Sequence, residues 1–194
     1  MPLSTRRSEH IRKSVEKLLR IANVTNPPVP VERIARLRGA EIRYVSFDGD
    51  ISGMLAREGN GFLIGVNSLH PKTRQRFTIA HEIGHLELNH LGQYGEQEIL
   101  IDRHFKVMLR DEKSSQASDP MEIEANSYAA ELLMPTSMLI VERELRSSGL
   151  DYEDDELIHN LAVRYKVSRQ AMTFRLANLA ERLTQKARRP SKAA

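Results

Sequence analysis

Apolar residues recur at helical spacing from about Glu9 to Ala22, where Ile11, Val15, Leu18, Leu19 and Ala22 share one face. The stretch "TNPPVP" breaks that pattern and leads into a short helix over Val31–Leu37, which Gly39 ends. The period then changes to two. "AEIRYVSF" reads as a strand, and "ISGMLARE" and "GFLIGVN" read as a hairpin whose turn chemistry comes from Asn60-Gly61. After Pro71 and a cationic stretch the helical period returns in "FTIAHEIGHLELNH", with Gly92 as the expected stop. A weak strand signal lies in "EQEILIDRHFKVML", and "RDEKSSQASDP" reads as a mobile polar loop.

Asp119 and Pro120 open a second strong helix, "MEIEANSYAAELLM", because Asp caps well and Pro is tolerated at the first helical position. Pro135 ends it, and a further helix is predicted over Ser137–Arg146. Past the acidic joint "SSGLDYEDDE" come two helices joined at "KVS", the second capped by Ser168. Leu161, Ala162, Val167, Met172 and Leu176 are spaced to pack this pair together in a helix-turn-helix-like pattern, although Lys166 stands where such turns often carry glycine. The elements predict a mostly helical α+β chain with a small twisted sheet. Its expected organisation is a body over 1–150, a helix-turn-helix-like segment over 151–184 and a disordered basic tail over 185–194.

Composition narrows the chemistry. The 194 residues include no cysteine, which excludes disulfides, a thiolate nucleophile and cysteine-ligated zinc. Any metal must sit on histidine, carboxylate or water. No apolar run approaches the roughly 20 residues of a membrane helix, and no apolar segment follows the basic N-terminus as a secretory signal would need. The expectation is a cytoplasmic protein with no membrane partner. The net charge of +3 is unevenly spread. From Leu157 to Ala194 there are nine Lys/Arg and one acid, leaving 20 of the 29 Lys/Arg and 25 of the 26 Asp/Glu for the rest. A basic end on an acidic body raises the prospect of DNA contact there, with packing on the body as the plainer role. Arg169, Gln170 and Arg175 are expected to face outward on that segment.

In a helix, His81 and His85 are one turn plus about 40° apart, so their imidazoles can converge on one point with Glu82 beside it. Two neutral nitrogens and a nearby carboxylate are what a metal-assisted hydrolase requires. Surface histidines on an ordinary helix are the alternative. The apolar residues around the motif speak against it, because a buried His-Glu-His cluster is costly unless paired or metallated. Gly84, between the two histidines, would allow another backbone to come close. The candidates for a third ligand are Glu122, Glu124, Glu131, His90 and His104. On the wheel of the second strong helix, Glu122 falls near the centre of the apolar arc. Glu124 and Glu131 lie roughly 180–200° away, toward expected solvent. Glu122 could also serve only as a partner of the helix dipole. Asn126, one turn on, could orient a ligand from behind.

"HEIGH" followed by "EIEANSYAAELLMP" resembles the ImmA/IrrE-type metallopeptidases, and the likeness extends over most of the chain. That resemblance implies a zincin-like (gluzincin-like) metallopeptidase domain. It implies His81, His85 and Glu122 as ligands of one divalent ion, Zn2+ by default with Mn2+ as the alternative, and Glu82 as general base. The pair Glu122 and Asn126 looks like the family's form of the gluzincin Glu-x-x-x-Asp helix, with an amide in place of the acid. Tyr94, His104 and Tyr128 are the candidate oxyanion donors, and the hairpin is the candidate sheet edge for an extended substrate. The implied substrate is a DNA-binding, helix-turn-helix transcriptional repressor whose cleavage induces a response. The competing readings are a metal-binding regulator and a toxin–antitoxin component that binds a partner or DNA without proteolysis.

Overall fold

The computed structural model describes residues 3–47, 51–91, 99–102, 119–144 and 154–188. Within them the chain runs α1 (Thr5–Ile21), α2 (Val31–Leu37), β1 (Ala40–Val45), β2 (Gly53–Glu58), β3 (Gly61–Asn67), α3 (Lys72–Glu87), β4 (Ile99–Asp102), α4 (Pro120–Leu133), α5 (Thr136–Glu144), α6 (Asp155–Tyr165) and α7 (Arg169–Arg188). It is a mostly helical α+β arrangement with one four-stranded mixed sheet in the order β1-β3-β2-β4. Among the described residues no helix is long and apolar enough to cross a membrane.

Local chemistry sets most boundaries. Ser4 caps α1 by accepting from the Arg7 amide, Asp119 caps α4 through the Met121 amide, and Ser168 accepts from the Ala171 amide at the start of α7. Three helices end in the same way. Asn23, Asn89 and Lys166 have φ of 52°, 57° and 54°, and each is followed by an amide that reaches back to the carbonyl five residues earlier. This is the Schellman termination, in which a left-handed residue turns the chain and satisfies the last carbonyls. It ends α3 after Glu87, earlier than Gly92, which lies outside the described residues. At the other end of the chain, α7 continues to Arg188, into the stretch expected to be a tail from 185.

The hairpin forms with the pair Glu58↔Gly61, so its two-residue turn is Gly59-Asn60 rather than Asn60-Gly61. Gly59 carries the positive φ, 58°, that a tight hairpin turn demands. The hairpin is not a sheet edge. β1 runs parallel to β3 on one side, and β4 pairs antiparallel with β2 on the other, from Gly53↔Asp102 to Ala56↔Ile99. Among the described residues the edges are β1 and β4.

The core is one cluster of buried side chains drawn from all the layers. It includes Ile11, Val15 and Leu18 of α1, Ile34 of α2, Leu55 and Ile64 of the sheet, Ile79 and Ile83 of α3, and Leu132 and Leu133 of α4. Leu161, Ala162, Val167, Met172 and Leu176 belong to it, so α6 and α7 pack on the same core as the rest. α3 is central: it contacts α4 above all, with α2, β2 and β3 also against it.

Candidate metal centre

Burial of α3 carries polar chemistry into the core. His81, Glu82 and His85 are 1%, 1% and 2% exposed. The two imidazoles converge, with Nε2 of His81 and Nε2 of His85 2.9 Å apart. Glu122, in the first turn of α4, reaches over both. Its Oε2 lies 3.2 Å from His81 Nε2 and its Oε1 3.3 Å from His85 Nε2. Each residue thus offers one donor atom within 4.8 Å of the other two. Ligands bonded at about 2.0–2.1 Å in a tetrahedral arrangement sit about 3.3 Å apart, so this triangle has the size a divalent ion needs.

Close backbone approach makes the triangle possible. A Cβ on Gly84 would lie 3.0 Å from Tyr128 Cβ and 3.1 Å from the Ala125 carbonyl oxygen. α4 therefore rests directly on the turn of α3 between the two histidines. On the sheet side, Gly53 of β2 does the same for Glu82. A Cβ there would meet Thr78 Cγ2 at 2.3 Å and Glu82 Oε1 at 3.0 Å.

Each histidine uses its second nitrogen. His81 Nδ1 meets Asn126 Oδ1 at 3.0 Å, an acceptor that holds the proton on Nδ1 and leaves Nε2 with its lone pair. His85 Nδ1 faces His90 Nδ1 at 2.9 Å. The Schellman end of α3 is what folds His90 back, with its amide on the His85 carbonyl at 2.9 Å. Burial pushes the His85 pKa down, more than its Glu122 contact raises it. Burial alone would raise the Glu122 carboxyl, but hydrogen bonds and charge from His81 and His85 outweigh it and hold it far below the usual carboxylate range. Two ring nitrogens and a carboxylate thus face one another across the site.

Residues 35–177, most of the chain, match the M78 peptidase family, described as the IrrE N-terminal-like domain. The chain belongs to the ImmA/IrrE family of metallopeptidases. No curated protein shows significant sequence similarity to it. Among solved structures, a Mycobacterium tuberculosis transcriptional regulator is similar in fold, with a TM-score of 0.56 at 15% identity. The match covers 96% of this chain and 49% of that one, so this family member spans about half the regulator's length.

Several sequence-based expectations for this ImmA/IrrE chain need correction. Glu124 and Glu131 do not face solvent. Glu124 is held by a guanidinium fork from Arg7 of α1 and by His90, and Glu131 is buried against Arg175 of α7. A single wheel assumes one covered face, whereas α4 is covered by α3, α1 and α7 together. For the same reason Arg175 is not an outward-facing contact residue: it is 8% exposed and donates to Glu131, Thr136 and the Met134 carbonyl. Arg169 and Gln170 are exposed, Arg169 pairing with Asp155 at 3.2 Å. His90 lies behind His85 rather than beside Glu122. Tyr128 is buried, and burial, with the Glu87 charge adding to it, raises its hydroxyl pKa against the opposing effects of Ser14 and Arg38; it does not line the donor triangle. Tyr94 and His104 lie outside the described residues. Sequence reasoning missed Gly53, Arg7 and the role of His90. Only His90 left a signal, as a third histidine just past a helix end at Asn89.

Proposed function

We propose that this chain is a metal-dependent endopeptidase of the cytoplasm whose substrate is a DNA-binding transcriptional repressor. The observation that carries the reading is the convergence of His81 Nε2 and His85 Nε2, 2.9 Å apart, under the Glu122 carboxylate, whose Oε2 lies 3.2 Å from the first and Oε1 3.3 Å from the second, beside the buried Glu82. His81, His85 and Glu122 would hold one divalent ion, zinc first and manganese second for a donor set of two nitrogens and a carboxylate. When bound, that ion supplies Lewis acidity toward the scissile carbonyl and the attacking water. Glu82 takes the proton of that water and passes it to the leaving amine. Asn126 holds His81 in the form that offers Nε2. β4, the edge next to β2, gives an extended substrate a strand to pair with, and its residue Asp102 is in register with Gly53, which abuts Glu82.

The body over 1–150 then does the chemistry, and the helical segment over 151–184 helps to find the substrate through exposed Arg169 and Gln170. A second reading, a regulator that holds DNA or a partner without cleaving it, draws on the likeness in fold to a transcriptional regulator. A pure binding module has no use for a carboxylate at Glu82. The deciding experiment incubates zinc-loaded protein with a helix-turn-helix repressor, sought first among the products of neighbouring genes. Wild type should cut at one site, and Glu82→Gln should keep its metal and melting temperature yet leave the repressor whole. Equal cleavage by both proteins would remove Glu82 from the mechanism; no cleavage by wild type, with DNA retained, would favour the regulator.

A further inference from the structure

Behind His85 runs a chain of polar contacts that ends on α1. His85 Nδ1 is 2.9 Å from His90 Nδ1, and His90 Nε2 is 3.2 Å from Glu124 Oε2. Arg7 Nε donates to Glu124 Oε1 at 2.6 Å, and its Nη2 donates to Oε2. His90 is fully buried, so it has no water to substitute for a lost partner.

The polarity of this chain is fixed from its far end. A carboxylate gripped by a guanidinium can only accept, so the proton of neutral His90 must sit on Nε2. His90 Nδ1 is then an acceptor, and the donor that faces it is Nδ1–H of His85. That leaves His85 Nε2 unprotonated, aimed at Glu122 and His81 Nε2. Were the chain reversed, His85 would carry its proton on Nε2 and could not bind a metal there. Hydrogen-bond partners behind a ligating histidine fix its tautomer and raise its basicity in this way.

We infer that Arg7, acting through Glu124 and His90, is a positioning residue that sets the metal-binding tautomer of His85, so that α1 completes the metal centre. The inference rests on the metal reading given above. It is not implied by family membership, because Arg7 lies outside the matched residues 35–177.

Glu124→Gln is the sharpest variant. It keeps the shape, but its amide N–H2 can donate to His90 Nε2 and so permits the reversed chain. Arg7→Ala and Arg7→Lys vary the far end, and Arg12→Ala is the control for α1. Among the described residues Arg12 pairs within its own helix, with Glu16 at 2.8 Å and Glu9 at 3.4 Å. Two quantities are read: zinc affinity by competition with a chromogenic chelator, and the His85 tautomer in metal-free protein by long-range 15N–1H NMR. Glu124→Gln and Arg7→Ala should each weaken zinc binding by about 10-fold or more, the usual scale for such partners. Both should raise the Nε2–H form of His85, while Arg7→Lys recovers part of the loss and Arg12→Ala moves neither quantity. Unchanged affinity and tautomer in Glu124→Gln, with wild type binding zinc, would overturn the inference alone. A wild type whose zinc affinity equals that of His85→Ala would overturn the metal reading and this inference with it.

Discussion

Arg175 of α7 reaches the Glu131 carboxylate of α4 at 2.5 Å, with both side chains less than a tenth exposed. The arginine also donates to Thr136 and to the Met134 carbonyl where α4 ends, and Glu131 accepts from the Thr136 amide and hydroxyl. The ion pair therefore fastens the last helix to the α4–α5 corner. Removing one partner of such a buried pair strands the other, at a cost of about 3–5 kcal/mol. Arg175→Met should lower the melting temperature accordingly at neutral pH.

The same pair makes stability depend on pH. Burial alone would raise the Glu131 carboxyl, but Arg175 and the Thr136 hydrogen bonds bring it below its ordinary 4.5. A carboxyl depressed in the folded state contributes stability above its unfolded value, and that contribution is lost as pH falls through the folded value. Wild type should therefore melt higher than Glu131→Gln at pH 6–7, with the gap closing below the ordinary carboxylate range. A gap that stays constant down to acid pH would show that the carboxylate charge is not what matters.

Gly84→Ala sets two effects against each other. Helix propensity alone favours alanine by roughly 0.5–1 kcal/mol. The added Cβ would sit 3.0 Å from Tyr128 Cβ and 3.2 Å from Ala125 Cα, and the backbone of α4 cannot yield without moving the helix. Overpacking of this kind costs about 1–3 kcal/mol, so the net change should be a loss. Glu122 and Asn126 ride on the same helix, so zinc affinity should fall with the melting temperature. A stabilised variant with full affinity would mean that the two helices are free to separate.

Gly53→Ala should strike activity harder than metal binding. Its Cβ would overlap Thr78 Cγ2 and press on Glu82 Oε1 and the Gly65 carbonyl oxygen, and its three nearest neighbours include none of the donor atoms. A displacement of about 1 Å at a reacting group can cost on the order of 100-fold in rate. Pairing it with Thr78→Ser deletes the methyl group and should restore much of the cleavage rate. If the double variant is no better than the single one, the clash is not with Thr78.

Element types were largely legible, because each helix and strand keeps one period and its caps are local. The left-handed stops were less so. Asn89 ends α3 before Gly92 does, since any residue that tolerates positive φ can supply the Schellman turn. The convergence of His81, His85 and Glu122 could be read from helical spacing with the family resemblance, and Gly84 from its place between the histidines. Glu124, Glu131 and Arg175 were misplaced because their partners sit far along the chain: Arg7 is 117 residues from Glu124, and Arg175 is 44 from Glu131. No local pattern encodes that a polar face will be covered by a matching charge from another helix.

Lys166 offers a gain rather than a loss. It holds φ 54° and ψ 49° at the end of α6, where the left-handed conformation costs a side-chain-bearing residue about 1–2 kcal/mol. Its backbone carries the structural duty, by donating to the Val163 carbonyl and accepting from Arg76. Lys166→Gly keeps those bonds and should add about 1 kcal/mol, or roughly 2–4 °C for a chain of this size. Thermal melts of Lys166→Gly and Lys166→Ala separate the cause, since alanine should give no comparable gain.

The proposed docking role of α6 and α7 can be separated from both catalysis and packing. Arg169 and Gln170 are exposed, and the ion pair of Arg169 with Asp155, itself 90% exposed, is of the kind worth at most about 1 kcal/mol. Changing both to alanine should leave the melting temperature nearly unmoved. It should also leave hydrolysis of a short unfolded peptide at the wild-type rate, because neither residue touches the donor triangle. Cleavage of the folded repressor should slow, and in wild type that reaction should weaken with added salt if the contact is charged. DNA binding measured on the same double variant tests the alternative role, since phosphate contacts give affinity that falls steeply with salt. A variant that cleaves the repressor and binds DNA as wild type does would leave these helices with packing as their only duty.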